Sequence, residues 1–390
     1  MSNLLRNDHN VYILGAGFSR EAGLPLIHDF LAQMRDGYDW LVQQGRDREA
    51  VAVDDVLKFR LEAASAAYWV NLDLENIEEL FSLAFAKKDG IATSMRLAIA
   101  ATLDYARKSK GVLRCGMNVT GSPNLFKLSG RQWPRWVTCK SESTAMMSGH
   151  FEGSYEVGKY ALHVARLLGM LKNGEPQGEN TFITFNYDTL VEEALNELYL
   201  PVSYGSRIPF ANKATAGDEP ISVFKLHGSV NWTRTGQPDN ALKVVTSYDE
   251  LVKSEFMPEL VPPTWKKVFE DEIESVWGDA IEKLNTATRI VIIGFSMPPT
   301  DMHLKYLLAA GLKQNISLRQ IVFVNPDATN GLKARVEEML RKSYVESGRI
   351  DFLKEQLGAF TGPHQLTAIG LHTLGRPAEY ALQYELFDQT

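Results

Sequence analysis

Val11-Tyr12-Ile13-Leu14-Gly15-Ala16-Gly17-Phe18-Ser19 decides the reading of this chain: a short apolar run that stops at a Gly-x-Gly turn. Four later stretches repeat the arrangement. Thr181 to Phe185 ends in Asn186-Tyr187-Asp188, Ser222 to Leu226 in His227-Gly228-Ser229, Arg289 to Ile293 in Gly294-Phe295-Ser296, and Gln320 to Val324 in Asn325-Pro326-Asp327. The runs are β-branched and aromatic, short, and apolar on both faces, as strands covered by helices on both sides should be. In open α/β sheets the ligand lies beyond the carboxyl ends of the strands, so the five clusters are expected to converge on one crevice. The fold class is α/β, a doubly wound, Rossmann-like parallel sheet.

Outward from the first run, no second convincing buried strand occurs until Thr181. Leu74, Ile77, Leu80, Phe81 and Phe85 follow helical spacing, with Glu75, Glu78, Glu79, Lys87 and Lys88 on the wet side. Met95 to Arg107 and Tyr155 to Lys172 show similar amphipathic patterns, whereas Gly111 to Gly153, with Trp133 and Trp136, reads as loops with short elements. Residues 1–35 and 176–345 are thus expected to form one nucleotide-binding domain, residues 36–175 a large, mainly helical insertion, and residues 346–390 a packing or oligomerisation segment. No internal repeat or low-complexity tract interrupts this plan.

Composition narrows the function classes. With 45% hydrophobic and 23% charged residues the 390-residue chain has the balance of an ordinary globular protein. A net charge of −7 argues against a surface built to grip nucleic acid, which demands a positive field. The two cysteines, Cys115 and Cys139, cannot supply a disulfide scaffold or a four-thiolate zinc site, and no metal is expected. The polar start from Met1 to Asn10 and the lack of a long apolar run point to a cytoplasmic protein without membrane attachment.

Each cluster has its own chemistry. Gly15 and Gly17 would let the backbone approach a pyrophosphate, with Ser19 beginning a helix whose first amides and dipole stabilise negative charge. A hydride-transfer enzyme is disfavoured, because no acidic residue ends a second strand about twenty residues on. Asn186 stands at a strand end facing the crevice. Asp188 either contacts ligand or caps the helix that follows. His227, at the tip of a central strand, has the intrinsic pKa of a general base. Gly294, Phe295, Ser296 and Asn325 occupy positions that hold ribose hydroxyls or adenine in doubly wound folds, or serve as ordinary turn residues.

Together these motifs resemble the sirtuin superfamily, and within it the bacterial sirtuin-like NAD hydrolases of antiphage defence more closely than the protein deacylases. The resemblance covers residues 11 to 30 and 181 to 330. It implies that Gly15, Ala16, Gly17, Phe18 and Ser19, with Ala22-Gly23-Leu24-Pro25, form an NAD phosphate loop. It implies catalytic roles for Asn186 and His227, and cofactor contacts for Asp188, Gly294, Phe295, Ser296 and Asn325. Pro25 is followed by Leu26-Ile27-His28 and not by the Asp-Phe-Arg of deacylases, and the zinc-holding cysteine pairs of deacylases are absent. Val261-Pro262-Pro263-Thr264-Trp265 and Pro298-Pro299-Thr300-Asp301-Met302-His303 also resemble segments of the defence branch. The activity so implied is hydrolysis of NAD to nicotinamide and ADP-ribose by a regulated, NAD-depleting effector. A homo-oligomer and a HerA-type ATPase partner are implied with it. NAD-dependent protein deacylation, or NAD or ADP-ribose sensing by a scaffold without turnover, are the alternatives.

Overall fold

A computed structural model describes residues 8–67, 69, 72–87, 90–111, 114–121, 138–145, 150–170, 176–208, 219–236, 240–261, 271–297, 302–328, 331–361 and 386–387. Along the chain, strand β1 (His9–Leu14) leads into helices α1 (Phe30–Gln43), α2 (Asp47–Ala67), α3 (Ile77–Lys87) and α4 (Ile91–Lys110). Strands β2 (Arg114–Gly121), β3 (Thr138–Ala145) and β4 (His150–Gly158) follow, then helix α5 (Lys159–Leu167) and strand β5 (Glu179–Thr184). Next come α6 (Leu190–Glu197), β6 (Val202–Ser203), β7 (Ile221–Lys225), β8 (Gly228–Ser229), β9 (Trp232–Arg234), β10 (Leu242–Val244), α7 (Tyr248–Lys253) and β11 (Glu259–Leu260). The chain continues through α8 (Asp271–Thr286), β12 (Arg289–Ile293), α9 (Met302–Leu312), β13 (Gln320–Val324), α10 (Gly331–Met339) and α11 (Lys342–Val345). It closes with β14 (Ile350–Leu353), α12 (Leu357–Phe360) and β15 (Leu386–Phe387).

Seven strands form one sheet in the order β14-β13-β12-β1-β5-β7-β6, every neighbouring pair parallel. β1 is central, with Leu14 beside Thr184 of β5 and Ile293 of β12. Its apolar residues Val11 to Leu14 are wholly buried, which matches a strand covered on both faces. Tyr12 stacks on its register neighbour Phe182, with ring centroids 5.1 Å apart, and donates its hydroxyl to the Leu167 carbonyl of α5 at 2.6 Å. Burying each aromatic side chain of this kind stabilises the sheet by roughly 1.5–3 kcal/mol. β5, β7 and β6 lie on one side of β1, and β12, β13 and β14 on the other, so the connections diverge beside β1. A ligand crevice forms at such a reversal of strand order.

The expected strands at Arg289–Ile293 and Gln320–Val324 stand where the sequence reading put them, and the others shift by one or two residues. Two further strands of this sheet were not anticipated. β6 is only two residues long, and β14 is a half-buried edge strand lying in the stretch read as a tail. Within the insertion, α2 packs on α4 and α1 packs on both. Ala98, Ala100 and Ala101 make α4 thin enough for this approach, since all three are wholly buried.

The stretch read as loops differs more. β2 and β4 pair residue by residue from Arg114 opposite Gly158 to Gly121 opposite Phe151, and β3 pairs with the other edge of β4. β15 returns from the carboxyl end of the chain to pair with β2. The helix expected over Tyr155 to Lys172 is confined to Lys159–Leu167, because Tyr155 to Gly158 are drawn into the β4 ladder. Trp133, Trp136 and most of the carboxyl-terminal segment lie outside the described residues. No helix among the described residues is long and apolar enough to cross a membrane.

Candidate active site

The two glycines after β1 serve a close approach between turns. Gly15 N–H donates to the Ile293 carbonyl and Gly17 N–H to the Gly294 carbonyl, each at 2.9 Å. A Cβ on Gly17 would lie 2.8 Å from the Gly294 Cα, and one on Gly15 2.6 Å from the Phe295 ring. Gly294 itself has φ of 68°, a left-handed conformation that glycine adopts without steric cost. The turns after β1 and β12 therefore interlock directly, backbone against backbone.

Beyond Gly17 the expected helix does not start at Ser19. Ala16–Phe18 and Arg20–Ala22 form two single 3-10 turns, Gly23 stops the second at φ of 87°, and regular helix begins only at Phe30. The turns close on themselves, Ser19 N–H donating to the Ala16 carbonyl and Ala22 N–H to the Ser19 carbonyl, each at 3.1 Å, and Tyr160 of α5 braces them. Its hydroxyl donates to the Phe18 carbonyl at 2.9 Å and accepts the Ala22 N–H at 3.1 Å. Phe18 and Ala22 stand in the i, i+4 relation of an α-helical hydrogen bond. A side chain 138 residues away in sequence bridges these two groups, sharing the Ala22 N–H with the Ser19 carbonyl. The amides of Gly15, Gly17, Phe18 and Ser19 are thus spent on carbonyls of these turns, and the loop does not present the amides and dipole of a long helix.

The strand β5 ends at the side chains that face this loop. Asn186 Nδ2 donates to the Gly15 carbonyl at 2.9 Å and to Ser19 Oγ at 3.1 Å. Ser19 Oγ in turn donates to Asp188 Oδ2 at 2.7 Å, while Asp188 Oδ1 accepts the Leu190 N–H that opens α6. Asp188 thus serves the start of α6, one of its two sequence readings, and also ties that helix start to the glycine loop. With both amide protons of Asn186 committed to the protein, its Oδ1 is the atom with which it can address a ligand.

Below this station lies Lys225, which sequence reasoning passed over as part of an apolar strand. It is wholly buried, 3.0 Å from Glu192 Oε1, and its Nζ also donates to the Asp188 carbonyl. Burial raises the Glu192 carboxyl above its ordinary value, and the Lys225 ammonium works against that rise. The signal for it was available. A lysine between Phe224 and Leu226 in a buried run requires a buried acceptor.

His227 is buried, and an aromatic cage surrounds its ring. Phe185 stands at 5.3 Å and His303 at 5.3 Å, both edge to face, with Tyr187 at 6.2 Å. Its carbonyl accepts the Val261 N–H at 2.9 Å, and Trp277 Nε1 donates to the preceding Leu226 carbonyl at 2.9 Å. Gly228 does not clear space for a ligand. Its φ is 80°, and a Cβ there would stand 2.1 Å from the Glu259 carbonyl, so the vacant side is filled by β11. His303 falls in the Pro298 to His303 segment noted from sequence; Pro298 to Asp301 of that segment, and Pro262 to Trp265, lie outside the described residues.

On the other side of β1, Phe295 packs edge to face against Phe185 at 5.2 Å, so one ring joins His227 to the turn after β12. Asn325 Nδ2 donates to the Phe295 carbonyl at 3.0 Å, and its Oδ1 accepts the Asp327 N–H at 2.8 Å. Arg335 donates to the Ser296 carbonyl at 2.7 Å. Asn325 here braces two turns through both ends of its amide. Gly15, Gly17, Ser19, Asn186, Asp188, His227, Gly294, Phe295 and Asn325 are therefore linked in one continuous set of contacts at the carboxyl edge of the sheet, with Ala16 and Phe18 in the same loop. Among the described residues no group of three His, Cys, Asp or Glu side chains is placed to hold a metal ion.

No curated protein matches this chain. Among solved structures, Sir2Tm bound to a propionylated peptide is 12% identical with a TM-score of 0.36, covering 93% of this chain and 94% of that one. A Sir2 homologue mutant in complex with ADP-ribose is 15% identical with a TM-score of 0.38, covering 95% and 99%. Residues 180–347, which hold Asn186, Asp188, His227, Gly294 to Ser296 and Asn325 while the glycine loop lies outside them, match the family model described as SIR2-like domain.

Proposed function

We propose that the protein binds NAD across the carboxyl edge of the sheet and hydrolyses it to nicotinamide and ADP-ribose. The observation that carries this reading is the side-chain relay from Asn186 through Ser19 to Asp188, which ties the glycine loop to a SIR2-like station beside His227. In the proposed reaction the bond between ribose C1′ and the nicotinamide nitrogen breaks, its electron pair going to the already cationic base. Water adds its oxygen to C1′. His227 takes the proton released, either from that water or from a ribose hydroxyl that relays it. Asn186 Oδ1 orients the ribose or the water, and the turn of Gly15 to Ser19 holds the pyrophosphate. Phe185, Tyr187 and His303 keep bulk water from the imidazole.

A hydrolase of this kind left active would exhaust its host's NAD, so its activity is gated. Antiphage defence, with assembly of a homo-oligomer and a HerA-type ATPase as partner, fits such gating. The test is chromatography of NAD incubated with the wild type, His227→Ala and Asn186→Ala, each alone and with a co-expressed ATPase partner. Release of nicotinamide and ADP-ribose by the wild type, with losses of 100-fold or more in both variants, is expected for general-base catalysis worth about 10²–10⁴-fold. NAD that binds yet stays intact in every assembly would favour a sensing scaffold. Cleavage only in the presence of an acetylated peptide would favour deacylation.

A further inference from the structure

We propose that Tyr160, outside the crevice, is a positioning residue that sets the shape of the phosphate loop and so the affinity for the dinucleotide's pyrophosphate. The inference rests on the NAD-binding reading above. Its basis is the hydroxyl that donates to the Phe18 carbonyl and shares the Ala22 N–H with the Ser19 carbonyl, bracing the 3-10 turns of residues 18–22. Insertion of a side chain into the i, i+4 ladder is a recognised cause of a local break, and short 3-10 stretches in its place mark points where a helix can be reshaped. The Tyr160 ring, packed edge to face against Phe18 at 5.5 Å, fixes the hydroxyl in place. Burial and the nearby Glu21 carboxylate hold its phenol above the ordinary value, so it stays protonated and keeps donating.

The same helix grips the loop at neighbouring points. Lys159 Nζ lies 3.3 Å and His163 Nε2 3.6 Å from Glu21 Oε2, and the other oxygen of Glu21 accepts the Gly358 N–H at the start of α12 at 3.0 Å. Lys159 reaches the loop only through the Glu21 side chain, whereas Tyr160 bonds its backbone. Ala22 and Tyr160 also line a cleft of about 200 Å³ shared with Arg107, Lys159 and Glu193, which leaves the loop room to rewind. Without the hydroxyl, the Phe18 carbonyl loses the donor from Tyr160 and the Ala22 N–H keeps only the Ser19 carbonyl, which loosens the turn. Ser19 then swings away from Asn186 and Asp188, and the loop loses its grip on the diphosphate.

The test is calorimetric titration of the full chain with ADP-ribose, alongside thermal unfolding, for wild type, Tyr160→Phe and Lys159→Gln. Tyr160→Phe keeps the ring against Phe18 and removes only the hydroxyl. Its ADP-ribose affinity should fall about tenfold, the effect of losing one or two hydrogen bonds, with KM for NAD rising in step and kcat within about twofold. Lys159→Gln removes an ion pair from the same helix and should weaken binding less than about twofold. Unchanged ADP-ribose affinity in Tyr160→Phe, or equal losses in both variants, would overturn the proposal and leave Tyr160 a packing residue. Failure of the wild type to bind ADP-ribose or NAD at all would overturn the NAD reading and the inference with it.

Discussion

Ser19 shows how much depends on one hydroxyl, since it accepts from Asn186 and donates to Asp188 at the meeting point of two loops. Ser19→Ala should lower kcat/KM for NAD about tenfold, a loss of about 1.4 kcal/mol, measured by steady-state nicotinamide release. Lys225 and Glu192 make a different case, a wholly buried cation against a buried carboxylate beneath the Asp188 carbonyl. Lys225→Met leaves Glu192 without its cation in an apolar setting and should destabilise the protein by about 3–5 kcal/mol in urea unfolding. Replacing both, Lys225→Met with Glu192→Leu, should recover much of that loss, because two apolar groups need no compensation.

At the scale of elements, His227 is held by the short ladder between β8 and β11, where Gly228 at φ of 80° faces the Glu259 carbonyl. Gly228→Ala must both adopt a left-handed conformation and push the strands apart. A fall in unfolding free energy of more than about 1 kcal/mol is expected, together with reduced kcat, read from melting and turnover of the same preparation. Five strands of the parallel sheet, β1, β5, β7, β12 and β13, were legible in sequence because each is a continuous apolar run whose burial on both faces leaves no other periodicity. The end-of-strand clusters were legible for the same reason. The strands β2, β3 and β4 were not, because Gly116, Ser141, Gly153 and Ser154 carry no apolar alternation and the ladder depends on partners tens of residues away. Nor could the 3-10 turns of residues 16–22 be placed, since Tyr160 braces them from 138 residues further along the chain. The cage around His227 was half legible. His227 itself stands at an evident strand tip, whereas Phe185, Tyr187 and His303 meet it only in three dimensions.

For the whole molecule, three distant parts meet at Glu21: the loop after β1, helix α5 through Lys159 and His163, and the carboxyl-terminal segment through Gly358. The facing His163 ring, the Gly358 N–H and the Lys159 ammonium hold the Glu21 carboxyl down at about 2, against the opposing effect of burial. A carboxyl depressed in the folded state stabilises it above its ordinary pKa of 4.5 and loses that contribution as pH falls toward 2. The unfolding temperature of the wild type should therefore drop over that window more steeply than that of Glu21→Gln; parallel profiles would contradict the assignment. Burial meanwhile lowers the His163 pKa, so this ring is neutral near pH 7 and the junction keeps the Glu21 charge for Lys159.

Whether water cleaves the glycosidic bond is read by mass spectrometry of NAD incubated with the full chain in ¹⁸O-labelled water. The assembly with a co-expressed ATPase partner is measured in parallel. Equimolar nicotinamide and ADP-ribose, with a single label on the ribose fragment and no need for a peptide, is the predicted result. Intact NAD in every assembly, or product formed only with an acetylated peptide present, would contradict it.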